Sequence, residues 1–103
     1  MNPFGGDPRK MMKQLQQAQE RMQAEIAALV VEATAGGGVV KVEMDGQKQL
    51  RSLTIDPEVV SKDELEMLQD LVLAAVNEAG RKVDEAVKEK VGGLTAGLKI
   101  PGL

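Results

Sequence analysis

The side chains of this chain most able to do chemistry are cations at its two ends. Arg9, Lys10, Lys13 and Arg21 lie within residues 1–24, beside only two acidic residues. Arg81, Lys82, Lys88 and Lys90 lie within residues 81–103, together with Lys99 and three acidic residues. The intervening segment, 25–80, holds four basic and eleven acidic side chains. A chain of formal net charge −3 is therefore acidic in its middle and positive at both ends. Clustered Lys and Arg can neutralise a polyanion, a phosphate backbone above all. The same residues also make an ordinary solvated helix surface, so their meaning depends on where the two segments lie in space.

Other chemistry is poorly supplied. There is no His and no Cys, which removes the commonest general base, the thiolate nucleophile and any disulfide or thiolate metal site. The serines, Ser52 and Ser61, have no partner in the sequence that would activate them. Asp63, Glu64 and Glu66 are better explained as helix-start residues than as metal ligands. The reading is of a protein that is not an enzyme, with no catalytic residue, metal, cofactor or small-molecule substrate. No stretch approaches the roughly 20 apolar residues of a bilayer span, and residues 1–13 do not resemble a signal peptide. A cytoplasmic protein without a membrane partner is expected. With 103 residues and one aromatic side chain, Phe4, the chain makes one small domain, 1–103. Its core must come from Val, Leu, Ile, Ala and Met, and so small a core favours oligomerisation.

The elements that carry the cations follow from pattern. Residues 1–8 contain two Gly and two Pro and read as a flexible leader. Asp7-Pro8 is an N-cap followed by proline at the first helical position. A helix then runs to about Leu29, with a narrow apolar stripe of Met11, Leu15, Ala18, Met22, Ile26 and Leu29. The Met residues are read as packing residues that need a partner helix. Val30–Ala35, Val39–Asp45 and Leu50–Asp56 alternate as strands, separated by Gly36-Gly37-Gly38 and by the hairpin signal Asp45-Gly46. Pro57–Val60 forms a single helical turn. Ser61 and Glu64 fit a capping box for a second helix of about Lys62–Val91. Gly80 interrupts that helix, which implies close packing or a bend there. Residues 92–103 read as a Gly-rich flexible tail.

The fold class is thus α+β: a helix, a three-stranded antiparallel meander and a long helix. The first helix enters the sheet by its C-terminal end and the second leaves by its N-terminal end. Their other ends, which carry the cations, extend beyond a small sheet. The charge segregation becomes positive arms on a negative body.

The chain also resembles the YbaB/EbfC family of bacterial nucleoid-associated proteins. The resemblance rests on the Gln/Met-rich first helix, residues 36–42 (GGGVVKV), Met44-Asp45-Gly46, Ile55-Asp56-Pro57, residues 70–77 (DLVLAAVN) and the Gly/Leu/Pro tail. It spans nearly the whole chain in order. It implies a homodimer whose helices project like the arms of tweezers, located at the nucleoid. It further implies binding to double-stranded DNA that alters DNA conformation, with roles in nucleoid organisation, DNA protection and gene regulation. The DNA-binding surface it implies is a region, the two long helices, so the candidate residues are Arg9, Lys10, Lys13, Arg21, Arg81, Lys82, Lys88 and Lys90.

The residue inventory constrains how such a protein meets DNA. Without an aromatic platform it cannot stack exposed bases. Few side chains suit base edges, so sequence preference should be weak and phosphate contacts should dominate. The rival from another class is a prefoldin-like helical holdase or protein-interaction module, which would need exposed apolar residues at the arm ends, where Met11 and Met12 lie. Lipid-surface binding by the first helix is disfavoured by its modest charge and lack of aromatics.

Overall fold

In a computed structural model, which describes residues 7–98 and side chains as far as Gly93, the chain runs α1 (Pro8–Ala27), β1 (Val30–Ala35), β2 (Val40–Asp45), β3 (Leu50–Ile55), two 3-10 turns (Pro57–Val59 and Lys62–Glu64) and α2 (Leu65–Leu98). The strands form one antiparallel sheet in the order β1-β2-β3. The α+β class and the order of elements read from the sequence are those of the structure. The molecule is elongated, with principal extents of 77 × 26 × 15 Å.

Alternation along β2 places Val40, Val42 and Met44 on one face, and all three are buried. α2 lies on that face over β1 and β2. Its contribution to the core is Leu68, Ala75, Ala79 and Val83, which meet Ala33, Val40, Val42 and Met44. The two alanines bring the helix backbone close to the sheet, while each fully buried Val stabilises by about 1.5–3 kcal/mol. The sheet is therefore covered by the first half of α2, and only the second half projects. Coverage stops short of β3, where Leu50 and Leu53 stay 45% and 47% exposed.

α1 is capped as its sequence predicts: the Asp7 carboxylate accepts a hydrogen bond from the Arg9 N–H at 3.1 Å, and Pro8 occupies the first turn. None of its residues is buried. Met11 and Leu15 are 57% and 66% exposed, so within this chain the apolar stripe does not pack along its first half. Only Met22, Ile26 and Leu29, at the root, are half-buried.

Four local features differ from their sequence signals. The Asp45-Gly46 hairpin forms, but the residue in the left-handed region is Lys48 (φ 64°) rather than Gly46. Asp45 Oδ1 accepts from the N–H groups of Gln47 and Gln49 at 2.9 and 3.0 Å, and this side-chain brace spreads the reversal over a longer loop. Ser61 occupies the predicted N-cap position, but its side chain makes no capping bond. A 3-10 turn at Lys62–Glu64 precedes α2 in place of a capping box. Gly80 neither breaks the helix nor marks close packing, because a Cβ built there meets nothing within 4 Å. Finally, α2 continues through Gly92 and Gly93 to Leu98, where the pattern ends it near Val91. Extending an existing helix adds a hydrogen bond per residue with no new nucleation cost. The rest of the Gly-rich segment, 99–103, and residues 1–6 of the leader lie outside the described residues.

Candidate nucleic-acid interface

The cations of α1 sit on a helix that leaves the body at its C-terminal end. At 3.6 residues per turn, Arg9, Lys10, Lys13 and Arg21 fall within about 120° of one another. The apolar stripe of Met11, Leu15, Ala18 and Met22 lies on the opposite side of the helix. All four cationic residues are exposed. Among the described residues, none of their side chains has a hydrogen bond or ion pair. No acidic residue occurs between Pro8 and Gln19.

The root of this arm is held in three ways. The backbone carbonyl of Ile26 presses on Gly46, where an added Cβ would lie 1.7 Å from the oxygen. The half-buried Ile26 side chain packs against the same turn. Lys90 on α2 reaches Glu25 on α1 at 3.8 Å. The turn that receives α1 is itself braced by Asp45, which is only 1% exposed. Its Oδ2 faces Arg51 Nε at 3.0 Å. The Gln49 N–H bond is the main reason its carboxyl titrates below the ordinary value; burial opposes the shift, while Gln47 and Arg51 reinforce it.

The cations of α2 are placed differently. Arg81 faces away from the sheet, with Nε 3.0 Å from Glu78 Oε2 and Nη1 2.6 Å from Glu85 Oε1. This pair of carboxylates, Glu78 foremost, raises the Arg81 pKa, and Arg81 in turn lowers that of Glu78. Lys82 Nζ donates to the Glu32 carbonyl of edge strand β1 at 2.8 Å. Lys90 is the residue that reaches Glu25. Lys88 is exposed and has no partner among the described residues, but Glu85 and Glu89 line the same shallow surface. The structure thus divides the eight candidate cations between an unpartnered row on α1 and a largely partnered set on α2. The i, i+3 and i, i+4 spacing of Glu78, Arg81 and Glu85 is the local signal from which this ion-pair cluster could have been read. The long-range partners of Lys82 and Lys90 carried no local signal.

A second surface lies at the other end of the molecule. Ile55, Leu65, Leu68, Gln69, Val72 and Leu73 line an open groove of about 490 Å³ between β3 and the start of α2. Leu65 and Leu73 are 52% and 60% exposed. Among the described residues, no helix is long and apolar enough to cross a membrane.

The described residues form a small helix–sheet–helix unit with a projecting cationic helix, a geometry suited to a polyanionic ligand. Residues 5–98 match the YbaB/EbfC DNA-binding family, and the chain belongs to that family. It is a family of DNA-binding proteins rather than of enzymes. Among its relatives is a nucleoid-associated protein of Koribacter versatilis, 53% identical over 93 residues that cover 90% of this chain and 92% of that one. Another, from Thermoanaerobacter pseudethanolicus, is 50% identical over 104 residues and covers 98% and 94% of the two chains. The fold is also that of an uncharacterised protein of Helicobacter pylori solved by crystallography, with a TM-score of 0.64 at 20% identity, over 82% of this chain and 98% of that one.

Proposed function

We propose that this protein acts at the bacterial nucleoid, in the cytoplasm, as a homodimer that binds double-stranded DNA chiefly through phosphates. Sequence specificity is low, and binding alters DNA conformation, with roles in nucleoid organisation, DNA protection and gene regulation. The observation that carries this reading is the α1 arm: four cations on one face, exposed and unpartnered among the described residues. Family membership supports DNA as the polyanion, and the relatives named nucleoid-associated proteins support the setting. The single aromatic residue in the chain leaves little for base stacking, so contacts to the backbone dominate.

Dimerisation rests on the apolar groove. Leu65 and Leu73 expose apolar surface in the groove beside β3, which a second copy buries. A dimer presents two α1 arms to one duplex, doubling a charge that is modest per chain. The test is a fluorescence-anisotropy titration of mixed-sequence duplex DNA over a salt series. The logarithm of affinity should fall with the logarithm of salt at a slope of about −0.9 per phosphate contacted, and several sequences should bind alike. A flat salt response would refute the reading.

One observation favours a second reading, the helical holdase: Met11, Met12 and Leu15 at the arm are 57%, 66% and 66% exposed. Suppressed light scattering from an aggregating client, without salt-sensitive DNA binding, would decide for it.

A further inference from the structure

The proposed DNA contact has a narrower seat than two helices. Arg81 directs three of its five N–H donors at Glu78 and Glu85, and these carboxylates offset its charge and would repel a phosphate brought beside it. Lys82 is spent on the Glu32 carbonyl, which ties α2 to edge strand β1. Lys90 is spent on Glu25, which ties α2 to α1. Between Glu78 and Lys90 the acidic and basic side chains are equal in number, so this half of α2 presents no net attraction. On α1, by contrast, Arg9, Lys10 and Lys13 lie in a stretch with no acidic residue. Arg9 and Lys13 stand one turn apart on the same face, about 6 Å along the axis. Along the axis that separation spans nearly two base steps of one strand, at about 3.4 Å per step.

We infer that phosphate contact is carried chiefly by α1, through Arg9, Lys10, Lys13 and Arg21, that Lys82 and Lys90 are positioning residues that fix the arms, and that Arg81 is neutralised within α2, which leaves Lys88 as the one unpartnered cation on the described part of that helix. This rests on the DNA-binding reading and deepens it. Removing contacting cations lowers the number of counterions released, and so flattens the salt dependence. Removing positioning cations changes affinity at every salt concentration alike.

The test compares two triple variants, R9Q/K10Q/K13Q and R81Q/K82Q/K90Q, with the unaltered protein on a mixed-sequence duplex from 50 to 200 mM salt. The α1 variant should lose about 2.7 from the slope for each arm engaged, so that each engaged arm makes the unaltered protein weaken about 40-fold more than the variant over that range. The α2 variant should keep the full slope, whatever its affinity. An equal loss of slope from the α2 variant would overturn the inference, as would an α1 variant with the full slope. If the unaltered protein shows no salt-dependent binding, the DNA-binding reading fails and the inference with it, an outcome distinct from either of those. The α1 positions are exposed on a helix with no buried residue, so folding is not at stake there. Should the α2 triple variant fail to fold, Arg81→Gln alone, on the solvent face of α2, carries the comparison.

Discussion

Adding one methyl group at Gly46 should loosen this protein, whereas the same addition at Gly80 should tighten it. At Gly46 the new Cβ would sit 1.7 Å from the Ile26 carbonyl oxygen and 2.7 Å from its carbon. Both atoms are backbone, so no side chain can swing aside. The root of α1 must retreat by more than about 1 Å to restore ordinary contact. Overpacking of this kind costs about 1–3 kcal/mol, and the stiffer unfolded chain returns about 0.4–1 kcal/mol of it. At Gly80 the built Cβ meets nothing within 4 Å, and the residue lies inside α2, so Ala should add about 1 kcal/mol. In a domain of this size each kcal/mol moves Tm by about 4–8 °C. Circular-dichroism melts at one fixed protomer concentration should therefore show Gly46→Ala melting lower and Gly80→Ala higher than the unaltered protein. Since Gly46 seats the arm rather than touching DNA, Gly46→Ala should also weaken DNA binding without changing its salt slope. A Gly46→Ala protein as stable as the original would refute the packing argument, and a lowered Tm for Gly80→Ala would refute the open-space argument.

Leu73→Glu should place a charge in the groove at a residue already 60% exposed; sedimentation should then show monomer with an unchanged circular-dichroism spectrum, and a persisting dimer would move the interface elsewhere. Asp45 titrates below its unfolded value, so its stabilisation is complete above the ordinary carboxylate range and is lost as pH falls below it. Asp45→Asn should accordingly melt lower at neutral pH and show a shallower loss of Tm in acid. Ser61 makes no capping bond, so Ser61→Ala should shift stability by less than about 0.5 kcal/mol. The bonded cap Asp7→Ala should instead cost α1 about 1 kcal/mol, read as faster amide exchange in its first turn.

Periodicity made most of the fold legible. The 3.6-residue stripes located both helices and the alternation of Val40, Val42 and Met44 located the buried face of β2, because burial imposes those periods directly. Gly46 was legible only as a turn residue; its close contact with Ile26 joins segments far apart in sequence, and no local pattern records it. The α2 overrun through Gly92 and Gly93 was hidden because composition measures local preference, whereas an existing helix extends without a new nucleus. For the candidate interface, residue type and position named eight candidate cations. Which of them were already engaged depended on Glu32 and Glu25, contributed by β1 and by α1 itself, and therefore on the tertiary structure.

An isolated helix of 20 residues with nothing buried is only marginally stable in water. α1 keeps its form through its cap, its anchored root and its propensity, not through packing of its length. Such a helix could be steadied by acidic partners for Arg9, Lys10 and Lys13, as Glu78 and Glu85 steady Arg81 on α2. Each such pair would add a few tenths of a kcal/mol and would cancel the cation it engaged. The α1 face thus lacks stabilisation that the same chain employs elsewhere, and what that lack leaves available is positive charge. Introducing Glu at Gln14 and Gln17, each four residues after a cation, separates the two quantities. The variant should melt higher in α1 by amide exchange yet bind DNA more weakly with a flatter salt slope; a variant with both helix stability and binding raised would show that the unpaired charge is not what the arm is for.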